Sequence, residues 1–346
     1  MPDDIDWDAI YSDRVHPAFA VPLGGQPEPR CVFVTGHQGS GKTTYLQRLL
    51  ADLGPDHTQF IVPDALLACV VELHDGSPRA SEAYTAYRAT HCATHCERLA
   101  DHAVAQRSHI LWERAIPGNI ERLGDALRRL GYRVDCVVLA TPVEESWIGT
   151  LSRSLAAQLS GDRSALRVGW SVLTEAALRW PAVLDRVETA RQIDRVAVLD
   201  RDGNLCFENH VIGPPDGRRW AETPFAFESL MVERARPRSD AALASLLASW
   251  EALHPRIAEA SHRAWPKVEL QVFDRHLRAL ITDPAARFDL DQPDPDPATA
   301  AAWIARLGAD LAAVQSSPEV RDQPGLAARA GRLITLVSRI AGQPIR

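Results

Sequence analysis

The stretch that decides the fold of this chain is Gly36-His37-Gln38-Gly39-Ser40-Gly41-Lys42-Thr43. An apolar segment typical of a strand, residues 31–35, precedes it, and a segment typical of a helix, residues 45–50, follows it. Strand, glycine-rich loop and helix form the context in which G-x-x-x-x-G-K-[ST] is a P-loop. The backbone N–H groups of such a loop point into one concavity, and the helix N-terminus adds a partial positive charge. The sequence therefore predicts a site for the phosphates of a nucleoside triphosphate.

Two side chains of this loop have distinct predicted roles. Lys42 can reach the β- and γ-phosphates, and the Thr43 hydroxyl can ligate Mg²⁺, so we expect ATP and Mg²⁺ as ligands. The alternative is a glycine-rich strand-to-helix turn with a solvent-exposed lysine, which the preceding strand and the Gly-Lys-Thr triplet disfavour. The predicted ATP-binding residues are Gly36, His37, Gln38, Gly39, Ser40, Gly41, Lys42, Thr43 and Thr44.

Composition excludes several classes of protein. The chain has 346 residues, 46% of them hydrophobic and 24% charged, which is ordinary for a globular protein of two domains. A net charge of −7 argues against a general nucleic-acid binder. No apolar run approaches the length of a membrane span, and the acidic start, residues 1–6, is unlike a signal peptide. We therefore expect a cytoplasmic protein whose six cysteines are free thiols.

The pattern of apolar segments predicts an α/β fold. Strand-like runs alternate with helical stretches, which indicates a P-loop NTPase-type parallel sheet sandwiched by helices. A turn at residues 202–203 predicts a hairpin at the end of this region. Beyond residue 213 no strand pattern is found, and alanine- and leucine-rich stretches indicate an all-helical domain, in which Pro255 is expected to kink or divide a helix. The predicted domains are residues 1–213 and 214–346.

A P-loop alone does not separate kinases, GTPases and motor ATPases. The sequence has no N-K-x-D-type guanine-reading segment and no extended strand ending in Asp-Glu of the kind that AAA-type ATPases use. A small-molecule kinase remains: it needs a carboxylate near the P-loop to accept the proton of the acceptor hydroxyl, and arginines on a helical lid. The alternative from another class is a nucleotide-binding regulatory module that switches the helical domain without turnover.

The region from the strand at Cys31 to about Asn209 resembles the zeta toxins, bacterial P-loop kinases of epsilon/zeta toxin–antitoxin systems. Besides the P-loop, six segments carry the resemblance: 61–66 (IVPDAL), 97–99 (ERL) sixteen residues before Glu113, 130–134 (LGYRV), 139–142 (LATP), 149–153 (GTLSR) and 194–201 (DRVAVLDR). The Gly-Tyr-x-Val strand start and the Gly-Thr-Leu-x-Arg helix make it specific. The resemblance implies phosphorylation of the amino-sugar ring of UDP-N-acetylglucosamine by a toxin.

The resemblance also implies roles for individual residues. Asp64, after the second strand, matches the catalytic aspartate; its alternative role is to cap the helix that follows Pro63. Arg153 matches the first lid arginine, and Arg167 is the expected second, with Arg163 in reserve. Lys42 belongs to the same catalytic set. Glu97 and Glu113 match substrate-binding positions, although Glu97 is equally typical of an exposed helical carboxylate.

The chain departs from the family where the acceptor binds. The family has a Glu-Gly-Thr-x-Arg run after the third strand, and here residues 113–118 read ERAIPG. The paired aspartates after the second strand are reduced to Asp64. The acceptor is therefore UDP-N-acetylglucosamine, a related nucleotide sugar, another nucleotide or a dinucleotide.

Two further features leave alternatives open. The helical C-terminal part is a fused antitoxin-like inhibitor, a partner-binding bundle or a substrate-specificity cap, and a separate helical antitoxin is the expected partner. Residues 91–96 (HCATHC) have the spacing of metal ligands, but on a helix the histidine and cysteine pairs point about 100° apart, which favours ordinary packing over zinc.

Overall fold

The computed structural model describes residues 5–20, 24–70, 86–115, 118–160, 168–214, 217–236, 238–260, 267–282, 297–316 and 326–332. The described residues form a seven-stranded sheet with the order β2-β3-β1-β4-β5-β6-β7, in which β1 to β5 pair in parallel and β6 and β7 pair antiparallel. The strands are β1 (Arg30–Thr35), β2 (Thr58–Ile61), β3 (His109–Arg114), β4 (Arg133–Leu139), β5 (Arg195–Leu199), β6 (Leu205–Ile212) and β7 (Arg219–Trp220). The predicted parallel sheet and hairpin are confirmed.

Helices cover both faces of the sheet. The longer described helices are α1 (Lys42–Leu53), α2 (Cys92–Gln106), α3 (Ile120–Arg129), α4 (Val143–Leu159), α5 (Trp170–Ala190), α6 (Ala226–Ala235), α7 (Asp240–Ala260), α8 (Lys267–Thr282) and α9 (Pro297–Ser316). Short helical segments lie at Trp7–Ile10, Tyr11–Val15, His16–Phe19, Pro55–His57, Pro63–Leu66, Leu67–Cys69 and Tyr87–His91.

The central strand β1 shows why the sheet is buried on both sides. Cys31 and Phe33 face a core that includes residues of α2, α3 and α5, whereas Val32 and Val34 face a second core that includes α1. All four side chains are buried. Apolar residues at every position of a strand are typical of a parallel sheet with helices on each face. The P-loop therefore leaves a rigid strand in the middle of the sheet.

The sheet continues past residue 213, where the sequence predicts only helices. Residues 219–220 form β7, which pairs with β6, and Trp220 is buried in the core beneath α2, α3 and α5. Ala226 and Leu230 of α6 belong to the same core. The prediction that no strand follows residue 213 is wrong, because a two-residue edge strand is too short to produce a periodic pattern. The domain division at 213/214 stays a prediction.

The long elements of the remaining C-terminal part are helices wherever the structure describes them. Trp147 of α4 packs against Phe273 of α8, with ring centroids 4.5 Å apart, and against Trp250 of α7. The helix α7 runs through Pro255 to residue 260, so this proline does not divide it. Residues 326–332 are helical, and the rest of the stretch predicted up to Ile340 lies outside the described residues.

Buried charge joins the C-terminal helices to α4. The carboxylate of Glu144, in the first turn of α4, accepts hydrogen bonds from Arg238 (3.1 Å) and from His276 of α8 (2.9 Å). Burial alone would raise the pKa of Glu144, but the hydrogen bond from His276 and the charges of Arg238 and Arg306 hold it below its usual range. Three segments therefore converge on one ionised carboxylate.

Among the described helices, none combines the length and hydrophobicity that crossing a membrane requires.

Candidate active site

The P-loop backbone depends on three glycines. Gly36, Gly39 and Gly41 have φ angles of 139°, 78° and 96°, in the region where side chains are disfavoured. At Gly39 a Cβ atom would also overlap the carbonyl oxygen of Ser146 in α4. The loop consequently lies directly against α4, and its final residue Lys42 begins α1. The positions of Gly39 and Gly41 cannot take a larger residue without moving the phosphate cradle.

Lys42 and Thr43 converge on the carboxylate of Glu113. The Lys42 ammonium lies 3.6 Å from one carboxylate oxygen and donates a hydrogen bond of 2.9 Å to the carbonyl oxygen of His37. The Thr43 hydroxyl donates to the other carboxylate oxygen of Glu113 at 3.0 Å. Burial lowers the pKa of Lys42, and the negative charges of Glu113 and Asp64 oppose this shift.

Glu113, which the sequence predicts to bind the substrate, lies next to the P-loop residues Lys42 and Thr43. It is 7% exposed and occupies the end of β3, which pairs with β1 at Val34. Neighbouring parallel strands end at the same edge of the sheet, which brings this carboxylate to the first turn of α1. An oxygen pair from Thr43 and Glu113 suits a hard divalent cation such as Mg²⁺. A role in substrate binding stays a prediction.

Asp64 follows β2 and Glu113 belongs to β3, and both strands lie on the same side of β1, the strand that leads into the P-loop. Asp64 is half-buried in the short helix Pro63–Leu66 after β2, and its charge acts on the pKa of Lys42. The N-cap of this helix is Val62, so Asp64 is not the capping residue that the alternative required. Two carboxylates, one at the end of β3 and one just after β2, thus raise the pKa of one buried lysine against the effect of its burial.

Of the predicted lid arginines, Arg153 belongs to the described residues. Arg153 is exposed on α4, and its positive charge acts to lower the pKa of Lys42, which requires the two groups to be near each other. Arg167 and its reserve Arg163 lie outside the described residues. The structure therefore brings one of the predicted arginines towards the P-loop.

Glu97 belongs to a different cluster from the P-loop carboxylates. It is half-buried on α2. Burial lowers the pKa of Arg114, and the negative charge of Glu97 opposes this shift. The Arg114 guanidinium donates to the carbonyl oxygen of Gly118 (3.2 Å) and to the side-chain oxygen of Asn119 (3.1 Å). Arg114 follows Glu113 directly in β3, so the charge of Glu97 acts on the residue next to the carboxylate that Lys42 and Thr43 contact.

A contact that the sequence does not reveal holds the P-loop from behind. The buried His37 ring lies 2.8 Å from the Ser146 hydroxyl of α4 and 3.3 Å from the Arg234 guanidinium of α6. Burial, together with the charges of Arg234 and Lys42, keeps the pKa of His37 well below its usual value. Burial also lowers the pKa of Arg234 to about 10. His37 and Arg234 are 197 residues apart, and no local pattern indicates their contact.

The histidines of residues 91–96 take part in packing. His91 stacks on Trp7 with ring centroids 4.6 Å apart, and His95 lies 3.2 Å from the Tyr87 hydroxyl. Within the described ranges, no group of three or more His, Cys, Asp or Glu side chains has the geometry to hold a metal ion. All six cysteines are described, and each is a free thiol.

Comparisons with known proteins identify the family of this chain. The sequence profile of the family described as Zeta toxin matches residues 22–212, more than half of the chain. This family consists of P-loop kinase-like phosphotransferases. A search among curated protein sequences finds no match.

One solved structure supports the fold, and two others are similar over part of the chain. One from the PezAT chromosomal toxin–antitoxin system of Streptococcus pneumoniae superposes with a TM-score of 0.55 at 15% identity, over 75% of this chain and 97% of the other. An AvrRxo1-ORF1:-ORF2 complex in its native form gives a TM-score of 0.44 at 12% identity, over 78% and 86%. The AvrRxo1-ORF1:AvrRxo1-ORF2 complex with sulphate ions gives 0.37 at 15% identity, over 57% and 59%.

Proposed function

Because this chain belongs to the Zeta toxin family, we propose that it is an ATP-dependent kinase that phosphorylates a hydroxyl group of a nucleotide-type acceptor. The observation that carries the proposal is the set of charges around Lys42. Glu113 lies 3.6 Å from its ammonium, and the charges of Asp64 and Arg153 also act on it. A protein that only binds a nucleotide needs neither a base nor an arginine that neutralises the transferred phosphoryl group beside this lysine.

The donor half of the site uses the P-loop. Backbone N–H groups of residues 36–44 would hold the phosphates of ATP, and Lys42 would exchange its hydrogen bond to the His37 carbonyl for a contact to the transferred phosphate. The Thr43 hydroxyl and the Glu113 carboxylate would hold Mg²⁺, which neutralises phosphate charge when bound. Both groups are oxygen ligands on neighbouring elements, so they fit this ion.

The acceptor half uses Asp64 as the base. Its carboxylate would accept the proton of the acceptor hydroxyl while that oxygen forms a bond to the γ-phosphorus and the bond from phosphorus to the β,γ-bridging oxygen breaks, releasing ADP. Arg153 would neutralise charge on the phosphoryl oxygens, a task that suits a guanidinium because it is permanently charged. Arg167 is proposed as the second arginine.

The identity of the acceptor follows from the family and from the region near Glu97. UDP-N-acetylglucosamine is the first candidate, and the altered residues 113–118 make another nucleotide sugar, a nucleotide or a dinucleotide the alternative. A toxin of this kind is expected to have a helical antitoxin partner, which would be a separate protein or a part of this chain.

A second function is supported by one contact. Arg234 of α6 lies 3.3 Å from the P-loop residue His37, so a change in the loop on nucleotide binding would reach the C-terminal helices directly. In this alternative the protein is a nucleotide-dependent switch without turnover. The two functions differ in their need for Asp64.

The test is incubation of the full chain with ATP, Mg²⁺ and a panel of nucleotide sugars, nucleotides, nucleosides and dinucleotides, with products identified by mass spectrometry. We expect a phosphorylated product from the wild type and none from Lys42→Ala or Asp64→Ala. Asp52→Ala, at an exposed carboxylate of α1, is the matched control and should match the wild type. Nucleotide binding without product across the panel would favour the switch, and turnover by Asp64→Ala at a rate close to that of the wild type would refute its role as the base.

A further inference from the structure

A groove between α4 and α7 begins beside the P-loop and has no part in the phosphoryl transfer described above. Its volume is about 590 Å³, within the range typical of small-molecule sites. One wall is a face of α4 that includes Gly149 and Ser152, and the other is a face of α7 that includes Ser249 and Ala252. Arg201, in the turn between β5 and β6, closes one side.

The walls of the groove adjoin the P-loop. A Cβ atom at Gly149 would lie 3.6 Å from the carbonyl oxygen of Gly39 and 3.8 Å from the Arg201 guanidinium. On the other side of the turn, a Cβ atom at Gly41 would lie 3.7 Å from the carbonyl oxygen of Arg201. The walls of the groove at Gly149 and Arg201 therefore lie next to the P-loop at Gly39 and Gly41.

The order of the strands separates the two sides of the P-loop. β1 carries the loop in the middle of the sheet, and β3 and β2, which carry Glu113 and Asp64, lie on one side of it. β4 and β5, followed by α4 and Arg201, lie on the other side. If the acceptor approaches the carboxylates, the nucleoside of the donor must extend from the P-loop towards the other side, where the groove lies.

Other cavities of the described part fit a nucleoside less well. One of about 540 Å³ is lined by Gly131, Arg133 and Asp194, where β4 and β5 begin, at the opposite edge of the sheet from the P-loop. Another, beside Arg234 and His276, has a volume of about 210 Å³, below the range of most ligand sites.

The lining of the groove suits a nucleoside. Apolar surface comes from Ile148 and Leu246, and the hydroxyl groups of Ser152 and Ser249 can bond ribose or base. The Arg201 guanidinium, held by Glu145 at 3.0 Å, presents a planar cation of the kind that stacks on aromatic rings.

We infer that this groove binds the base and ribose of the nucleoside triphosphate donor and that α7 forms its outer wall. The inference rests on the proposed function, because it takes the P-loop to hold the donor phosphates. It assigns the C-terminal region a role in nucleotide binding, although α7 lies beyond the residues matched by the Zeta toxin profile. Of the three roles considered for that region, it supports a specificity element, here one directed at the donor.

The test compares two substitutions of the same kind on α7 in the full-length protein. Ala252→Trp fills the groove, and Ala248→Trp, at an exposed position that does not line it, is the control. Calorimetry then measures the affinity for ATP and for inorganic tripolyphosphate, both with Mg²⁺. We expect Ala252→Trp to weaken ATP binding by about tenfold or more and to leave tripolyphosphate binding unchanged. Ala248→Trp should change neither.

Each other outcome has a distinct meaning. Unchanged ATP affinity in Ala252→Trp would overturn the inference, and an equal loss of ATP and tripolyphosphate would also overturn it by indicating a distorted P-loop. Ser152→Trp fills the groove from α4 and gives the same test if Ala252→Trp does not fold, as judged by its thermal melting. A wild type that binds neither ligand would refute the proposed function itself.

Discussion

The two sides of the P-loop are built in different ways. On the proposed donor side, the loop packs against α4, where Gly39 approaches the carbonyl oxygen of Ser146 so closely that no Cβ atom would fit, and Gly41 lies near the β5–β6 turn at Arg201. On the acceptor side, Asp64, Glu97 and Glu113 come from three separate segments and act through side-chain charges. Close packing of the glycine-rich backbone fixes a shape that any triphosphate can use. Side-chain charges can be exchanged one at a time, so the acceptor side is where relatives with one fold can differ in substrate.

The largest effect is expected at the residue that the two sides share. Lys42→Met should reduce phosphotransfer by at least about 10³-fold, because the variant loses the cation nearest the transferred phosphate. Lys267, exposed at the start of α8, is the other lysine of the chain, and Lys267→Met is the matched control. Initial rates measure the effect, and a rate within a few-fold of the wild type would contradict the site.

Lys42→Met also leaves the Glu113 carboxylate without its cation in a buried position. If this lowers the thermal stability, adding Glu113→Gln should restore the melting temperature without restoring activity.

The acceptor side alone is tested by Asp64→Asn. This change keeps the shape of the side chain and removes the base, so kcat should fall by about 10²-fold or more while the KM for ATP stays near that of the wild type. Steady-state kinetics with the acceptor found in the panel measure both constants. A parallel rise in the KM for ATP would place Asp64 on the donor side instead.

The donor side alone is tested by Arg234→Met. Removing the guanidinium leaves the His37 ring with the Ser146 hydroxyl as its remaining polar contact and holds the P-loop less firmly, so the KM for ATP should rise by about fivefold with a smaller change in kcat. Arg236→Met, at an exposed residue of the same segment, is the control. If kcat falls and the KM for ATP does not change, Arg234 does not act through the loop.

The smallest effect concerns stability beside the acceptor side. Burial lowers the pKa of His95, on the same helix as Glu97, to about 4. The unfolded chain, with a histidine pKa near 6.5, therefore binds more protons as the pH falls below that value. The stability that neutral His95 contributes is fully present above about pH 6.5 and is lost as the pH falls towards 4.

Urea unfolding at pH 7 and pH 5 measures this effect. The wild type should lose more unfolding free energy between the two values than His95→Gln. Equal losses would mean that His95 titrates normally in the folded protein.

Sequence reasoning succeeded where the relevant residues are close along the chain. The P-loop, the buried strands and the hairpin at residues 202–203 are local patterns, and the structure confirms them. The approach of Glu113 to Thr43 follows from a general rule, because parallel strands end at one edge of the sheet. The strand β7 and the contact of Arg234 with His37 could not be predicted, because pairing and packing across long separations leave no periodic signal.

The contact between Arg234 and His37 also has a consequence for the order of synthesis. A chain emerging from the ribosome has made its entire P-loop at residue 43, but the side chain that holds the second residue of the loop is added at residue 234. Until α6 has docked, the His37 ring lacks this partner. The phosphate cradle therefore reaches its final set of contacts only after about two thirds of the chain exists.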